Sequence, residues 1–276
     1  MDYIEVCIHG IMGEAAGILA AELSERGFES FMEEEECIKA YIPSDVFREV
    51  QAEDFLAEVS VSLKFGYELV NIPEENWNAI WESDYKTVRI GGRCMIRAPF
   101  HAPVPGVEFD LVIEPKMSFG TAHHETTRLM IETLLETDLQ GRKVLDMGCG
   151  TGILAILAGK MGALQVTAVD NDEWAFRNAN ENIYRNNSGS IHVIHGDVSS
   201  LPDRKYDVIL ANINRNILLR DMQNYADHLS RHGLIVMSGF YSADSGMIFE
   251  KASQFGLKNT GFRELNDWVA ATFRRC

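Results

Sequence analysis

The sequence predicts an α/β protein in which a doubly wound parallel sheet follows a smaller α+β domain. From residue 115 onward, short apolar runs alternate with helical patterns, which is typical of parallel strands joined by helices on both faces of one sheet. A glycine-rich turn at 148–152 follows the first of these runs and leads into an apolar helix. Residues 1–72 follow the order βαββαβ, which is typical of a ferredoxin-like sandwich.

The first domain is predicted to span residues 1–73. Its strands are expected at 3–8, 28–32, 38–42 and 67–72, and its helices at 14–26 and from 44 to about 65. This stretch has no glycine loop and, along the sequence, no cluster of cysteine or histidine residues. We therefore interpret it as a recognition module and not as a reaction centre.

A connector is predicted at 74–114 and the main domain at 115–276. In the connector, Trp77 and Trp81 stand at helical spacing, which favours a packing seam over a ligand site. The connector also has strand-like runs at 87–90, 94–98 and 109–113. In the main domain we expect a helix at 125–136, parallel strands at 143–146, 165–170, 191–195, 206–211 and 233–238, and an antiparallel pair at 257–264 and 268–273.

Negative charge is concentrated near the N-terminus. The chain has a formal net charge of −16, and residues 1–60 hold 15 acidic against 3 basic side chains, or −12. Such a surface repels nucleic-acid backbones and attracts a lysine-rich protein, although an acidic face that only aids solubility explains the charge equally well. We expect a protein partner, no direct nucleic-acid contact and a monomeric chain.

The composition favours a globular protein of the cytoplasm. The sequence is 46% hydrophobic and 24% charged, has no run of 18 apolar residues, and begins without the features of a signal peptide. Its five cysteines form an odd set without a C-x-x-C pair, which predicts reduced thiols and neither a disulfide framework nor a zinc site. We expect no metal, and we interpret Cys149 as a buried packing residue.

The turn after the strand at 143–146 has the pattern D-x-G-x-G-x-G, formed by Asp146, Gly148, Gly150 and Gly152. The dinucleotide pattern G-x-G-x-x-G fails because Ile153 stands at its third glycine, and no lysine follows as in a phosphate-binding P-loop. The pattern resembles the first motif of S-adenosylmethionine-dependent methyltransferases. A carboxylate before the glycines repels a pyrophosphate but suits a ligand that carries an ammonium and a sulfonium. A tight turn without a ligand is the alternative.

Polar residues end the next strands at the same edge of the predicted sheet. Asp170 lies 22 positions after Gly148, where nucleotide-binding α/β folds use an acid for the ribose hydroxyls, and a helix cap is its alternative role. Asp197 follows the third strand, beside the adenine in the methyltransferase pattern, with a plain turn residue as the alternative. Asn212 follows the fourth strand and is the candidate catalytic residue, because its amide carbonyl can accept a hydrogen bond from an amine nucleophile. A helix cap is the alternative for Asn212.

The segment 117–127 places His123 and His124 next to each other before the helix at 125. Adjacent side chains point apart in an extended segment, so a metal site is disfavoured and a loop that folds over the cofactor is expected. The runs F-G-T-A-H-H-E-T-T, D-M-G-C-G-T-G, V-D-N-D and A-N-I, in this order, resemble the bacterial ribosomal protein L-eleven methyltransferases, the PrmA family. These motifs cover about residues 115–275, and the two-domain plan extends the resemblance to nearly the whole chain.

The resemblance implies a Rossmann-like methyltransferase sheet and an enzyme that uses S-adenosylmethionine. The acceptors would be lysine side chains and the N-terminal amine of one ribosomal protein, which the small N-terminal domain would hold. The family's cofactor-binding positions fall on Thr127, Gly148, Asp170 and Asn212.

The sequence departs from the family pattern at two places. Ala122 stands where the family commonly has glycine, and Asn214, Arg215 and Asn216 follow Ile213 where the family often has an apolar residue and a proline nearby. The second departure leaves the fine shape of the acceptor site open. The alternatives are a methyltransferase for a glutamine amide, an RNA or a small molecule, and a non-catalytic ribosome-assembly factor.

Overall fold

A computed structural model describes residues 2–11, 13–34, 37–72, 85–116 and 119–276. Contacts divide the chain into two compact units, residues 1–82 and 83–276. Within the described ranges, no helix combines the length and apolar character needed to cross a membrane. The predicted packing seam of Trp77 and Trp81 lies outside the described residues.

The smaller unit is an antiparallel sheet with helices on one face. Its strands are β1 (Tyr3–His9), β2 (Ser30–Glu33), β3 (Cys37–Pro43) and β4 (Gly66–Ile72), in the order β2-β3-β1-β4, and its helices are α1 (Glu14–Glu25), α2 (Ser44–Glu49) and α3 (Ala52–Leu63). Alternate strand residues, among them Val6, Ile8 and Ala40, share one apolar core with the helices. This arrangement confirms the ferredoxin-like prediction.

The helix expected from 44 to about 65 is divided into α2 and α3. Val50 ends α2, and Gln51 adopts a left-handed conformation with φ +50° before α3 begins. Phe47 and Leu56 are about two and a half helical turns apart in sequence, so an unbroken helix would direct them to opposite faces. The break lets both side chains reach the same core.

The larger unit begins with a three-stranded sheet. Strand β5 (Val88–Ile90) pairs antiparallel with β6 (Cys94–Arg97), which pairs parallel with β7 (Phe109–Val112). Buried side chains of these strands, among them Ile90 and Leu111, belong to an apolar core that also contains residues of the main sheet. This part of the predicted connector therefore packs as part of the larger unit.

The main sheet has seven strands in the order β10-β9-β8-β11-β12-β14-β13. The parallel strands are β8 (Lys143–Met147), β9 (Gln165–Asp170), β10 (Ile191–His195), β11 (Tyr206–Asn212) and β12 (Leu229–Tyr241), and the antiparallel strands are β13 (Leu257–Leu265) and β14 (Trp268–Arg275). The helices are α4 (Glu125–Leu135), α5 (Ile153–Lys160), α6 (Glu173–Arg185), α7 (Arg215–His228) and α8 (Ser245–Gln254). Two separate apolar cores flank this sheet, which confirms the doubly wound prediction.

Two asparagines of α6 connect the small sheet to the glycine turn. Asn186 accepts the N–H of Val112 at 3.0 Å and donates to the carbonyl of the same residue at 2.7 Å. Asn182 accepts the N–H of Glu114 at 2.9 Å and donates to the carbonyl of Thr151 at 3.0 Å. Because Asn182 is fully buried, these bonds are shielded from water and fix the turn against α6.

Candidate active site

The carboxyl ends of the parallel strands meet at one edge of the main sheet and open into a cavity of about 840 Å³. Parallel pairing sets the end of β8 beside the ends of β9 and β11. The residues that line this cavity are Lys116, Phe119, His124, Thr126, Gly148, Gly150, Asp170, Asn171, Asp172, Trp174, Ala175, Asn212, Ile213, Asn214, Ile217, Gly239 and Trp268. Its volume lies in the range of small-molecule and cofactor sites.

The glycine turn forms one wall of the cavity. Gly148, Gly150 and Gly152 have φ angles of +66°, +53° and +78°, which L side chains rarely adopt. A Cβ on Gly150 would lie 2.3 Å from the carbonyl oxygen of Phe119, and the N–H of Thr151 donates to that same oxygen at 2.9 Å. Glycine at 150 therefore lets the loop that contains Phe119 approach the backbone of the turn.

Asp170 ends β9 and lines the cavity. Its Oδ2 accepts the N–H of Gly150 at 2.8 Å, and its Oδ1 accepts the N–H of Asp172 at 3.0 Å. The cap of α6 is Asp172, which accepts the N–H groups of Trp174 and Ala175 at 2.7 and 3.2 Å. Each carboxylate oxygen has more than one acceptor position, so Asp170 can support the turn and still accept ligand hydroxyls.

Asp146 lies behind the turn and not in the cavity wall. It is 1% exposed, and its Oδ2 accepts the N–H of Ala155 in α5 at 3.1 Å. Burial, with a smaller contribution from the nearby negative charge of Asp170, raises the pKa of this carboxyl to about 7. In this structure the side chain of Asp146 binds the start of α5 and does not line the cavity.

Asp146→Asn is expected to make stability less dependent on pH. An aspartate has a pKa near 4 in an unfolded chain, whereas the folded-state pKa of Asp146 is about 7. Between these values the unfolded chain releases a proton that the folded chain keeps, so the wild type loses stability as pH rises through this window. Urea denaturation of both proteins at several pH values measures the difference in the free energy of unfolding. A difference that stays constant from acid to neutral pH would contradict the expectation.

Asn212 ends β11 and lines the cavity. Its Nδ2 donates to Oγ1 of Thr127 at 3.4 Å, and its Oδ1 is buried without a hydrogen-bond partner among the described residues. Thr127 is fully buried in α4, so this bond orients the amide. The helix cap of α7 is supplied by Asn214, which accepts the N–H of Ile217 at 3.1 Å. Asn212 thus stands in the cavity wall with an amide oxygen that has no partner among the described residues.

Three further predicted cofactor residues, Thr127, Gly152 and Asp197, do not line the cavity. Asp197 is exposed, and it accepts the N–H and the hydroxyl of Ser199 at 2.9 and 2.6 Å, which lowers the pKa of its carboxyl. This is the turn role stated above as its alternative. A Cβ on Gly152 would lie 3.3 Å from Cβ of Ala179, so this glycine serves close packing between α5 and α6. Direct cofactor contacts of Thr127, Asp146, Gly152 and Asp197 stay predictions.

Aromatic side chains stand at the cavity, and we call Phe119, His124 and Trp268 the aromatic rim. The ring centroid of His124 lies 5.1 Å from that of Phe119 and 4.8 Å from that of Trp268. Phe119 and His124 belong to the loop expected there, whereas the sequence analysis missed Trp268 and Trp174. An available signal was the position of Trp268 at the start of an antiparallel strand, which returns to the carboxyl edge of its parallel neighbour.

The histidine pair diverges as expected. His124 faces the cavity and accepts the N–H of Thr126 at 3.2 Å, which caps α4. His123 turns away, and its ring lies 5.0 Å from that of Tyr85. Ala122 before them has φ +67°, so the departure from glycine there costs about 1 kcal/mol in backbone strain.

Cys149 lies within the glycine turn but is 5% exposed. Burial raises the pKa of its thiol well above the usual value. A buried thiol with a raised pKa is a poor nucleophile, which agrees with the packing role predicted for it.

Many doubly wound proteins bind nucleotides at this edge of the sheet. An acid ahead of three alternating glycines, with an antiparallel β13–β14 pair closing the sheet, narrows the class to the Rossmann-like methyltransferases. The family model for ribosomal protein L11 methyltransferase (PrmA) matches residues 10–276. The chain therefore belongs to the ribosomal protein L11 methyltransferase family.

Individual relatives agree with this assignment. The chain is 46% identical over 264 residues to the ribosomal protein L11 methyltransferase of Porphyromonas gingivalis, which covers 94% of this chain and 90% of the relative. It is 43% identical over 278 residues to that of Phocaeicola vulgatus, with 99% of both chains covered. Among solved structures, a ribosomal protein L11 methylase from Lactobacillus delbrueckii subsp. bulgaricus matches with a TM-score of 0.65 and 26% identity, covering 70% of this chain and 100% of that chain.

Proposed function

We propose that this protein transfers methyl groups from S-adenosylmethionine to amines of ribosomal protein L11, its lysine side chains and its N-terminal amine. The relatives from Porphyromonas gingivalis and Phocaeicola vulgatus are named as methyltransferases of ribosomal protein L11. The observation that carries the proposal is Asn212 in the wall of the cavity, with a buried Oδ1 that has no partner in the part of the chain that the structure describes. The cytoplasm, where ribosomal proteins are made, is the expected location.

The residues of the cavity wall have the shape and charge that S-adenosylmethionine requires. Gly148 and Gly150 line the cavity without side chains, so a ligand can approach their backbone. A Cβ would collide with Ile213 at position 148 and with Phe119 at position 150, so neither position accepts a larger residue. Asp170 supplies carboxylate oxygens for hydroxyl groups and negative charge for a cationic ligand. S-adenosylmethionine, when bound, supplies a methyl group on a positively charged sulfur, and the protein contributes position and electrostatics.

The acceptor amine must be neutral to attack. A lysine amine has a pKa near 10.4 in water, and desolvation in a mostly apolar cavity favours its neutral form. The amide oxygen of Asn212 can accept one N–H of that amine, which directs the nitrogen lone pair along a fixed line. Thr127 holds the amide in this orientation through its hydroxyl.

The aromatic rim supports an aliphatic amine as the acceptor. Phe119, His124 and Trp268 line the cavity with their rings close together, and aromatic faces attract both the methylene stem of a lysine and methylated ammonium products. The acidic surface of residues 1–60 complements a lysine-rich protein. We propose that the smaller unit binds L11 through this charge.

The alternatives are separated by a single labelling experiment. The protein is incubated with S-adenosylmethionine carrying a labelled methyl group and with the proteins and RNA of an undermethylated large ribosomal subunit, followed by mass spectrometry. We expect label on lysine and N-terminal amines of L11. Label only on RNA, on a glutamine amide or on no component would overturn the proposal, the last outcome favouring a non-catalytic assembly factor.

Asp170→Asn is expected to weaken S-adenosylmethionine binding by about ten- to a hundredfold. A hydrogen bond to a charged group contributes about 1.5–3 kcal/mol, which corresponds to this change in affinity. An asparagine keeps one acceptor oxygen, enough for the N–H of either Gly150 or Asp172, and loses the charge. Thermal unfolding with and without the cofactor reports binding, since a ligand of the native state raises Tm. Equal losses in unliganded stability and in cofactor affinity would favour a purely structural role for Asp170.

A further inference from the structure

A cysteine–histidine cluster lies on the outer face of the sheet in the smaller unit. Cys7 and His9 are two residues apart on β1, so their side chains point to the same face. Cys37 pairs directly with His9 across the antiparallel ladder with β3, which brings it to that face as well. Val6 and Ile8 point the other way, into the core under the helices.

The distances within this cluster are those of a preformed ligand set. The Sγ atoms of Cys7 and Cys37 are 3.1 Å apart, and one ligand atom from each of the three residues lies within 4.8 Å of the others. Two thiolates on one tetrahedral zinc ion, each at about 2.3 Å, are separated by about 3.8 Å. Side-chain rotation that moves each sulfur by less than about 1 Å therefore brings the two sulfurs to the separation that zinc requires.

A carboxylate lies next to Cys37. Oε2 of Glu34 lies 3.9 Å from Sγ of Cys37, in the turn between β2 and β3. Its other oxygen, Oε1, is paired with Lys39 at 2.8 Å, which holds the side chain near the cluster. Two sulfurs, one imidazole nitrogen and one carboxylate oxygen match the donor types and the fourfold coordination that zinc prefers.

We propose that Cys7, His9 and Cys37 bind one zinc ion, with the carboxylate of Glu34 as the fourth ligand. Binding replaces the two thiol protons, which pass to solvent, and no electron transfer is involved. The ion would connect β1 to β3 and to the turn before it, so it would stabilise one end of the two central strands of the smaller sheet.

The linear sequence concealed this site, and the proposal revises the expectation that no metal binds. Cys7 and Cys37 are 30 positions apart and form no C-x-x-C pair. Only the antiparallel register of β1 and β3 brings them together with His9. The proposal does not depend on the proposed methyl transfer.

The test uses the full-length protein, prepared with a reductant and freed of metal. We expect the wild type to retain one zinc per chain after gel filtration, and its Tm to rise with zinc and to fall again with a chelator. Cobalt(II) in place of zinc should give the intense visible absorption of a tetrahedral site and thiolate charge-transfer bands.

Variants show which residues hold the metal. Cys37→Ser and His9→Ala should abolish stoichiometric zinc uptake and the cobalt spectrum, and circular dichroism checks their folding. Cys276→Ser is the matched control, because it removes an exposed cysteine in the other unit and should leave uptake unchanged. Absence of stoichiometric uptake by the reduced wild type, a cobalt spectrum without thiolate bands, or equal uptake by Cys37→Ser would overturn the proposal. A Cys7–Cys37 disulfide whose reduced form binds no zinc would do the same.

Discussion

Gly150→Ala is expected to disrupt the glycine turn and to abolish cofactor binding. Residue 150 has φ +53°, a conformation that costs a residue with a Cβ about 1–2 kcal/mol. The new Cβ would also lie 2.3 Å from the carbonyl oxygen of Phe119, a backbone atom that cannot move alone. Relieving this collision displaces the loop and breaks its 2.9 Å hydrogen bond from Thr151. We expect a loss of about 3 kcal/mol in the free energy of unfolding and of at least about a hundredfold in cofactor affinity.

Gly141→Ala is the matched control, because it introduces backbone strain without a steric collision. Gly141 has φ +73°, but a Cβ there would meet no atom within 4 Å. This control should lose only about 1 kcal/mol of stability and keep its cofactor affinity. Urea denaturation and isothermal titration with S-adenosylmethionine compare the two variants. If Gly150→Ala behaves like Gly141→Ala in both measurements, the close approach of the loop is not required for binding.

The sequence was sufficient where local pattern and a general rule of the fold act together. Apolar periodicity placed the strands of the main sheet within a few residues, although β12 extends well beyond the predicted 233–238. The rule that parallel strands end at one edge then placed Gly150, Asp170 and Asn212 around the same cavity.

The sequence was insufficient where distant segments meet. Trp268 reaches the cavity because β14 pairs with β12, and the predicted antiparallel pair at 257–264 and 268–273 did not specify that neighbour. The burial of Asp146 behind the turn was not predicted, because it depends on how α5 packs against the strand. The break between α2 and α3 arises because Phe47 and Leu56 must reach one core, and no proline or glycine marks it.

Asn212→Ala is expected to lower kcat by about a hundredfold, because the acceptor amine loses the hydrogen bond that aligns its lone pair. Stability should change little. The Oδ1 of Asn212 has no partner among the described residues, and removing an unsatisfied buried acceptor offsets the loss of the long 3.4 Å bond to Thr127.

Asn214→Ala provides the contrast, since Asn214 stands two positions further along the same segment. Its side chain caps α7 through the N–H of Ile217 at 3.1 Å, so its loss should cost about 1 kcal/mol in the free energy of unfolding. We expect its kcat to stay within about tenfold of the wild type, far above that of Asn212→Ala. Single-turnover methylation of L11 with both variants saturated in cofactor measures the chemical step apart from binding. If Asn212→Ala keeps its rate, or loses rate only in proportion to stability, the amide oxygen does not orient the acceptor and Asn212 serves only to support the cavity wall.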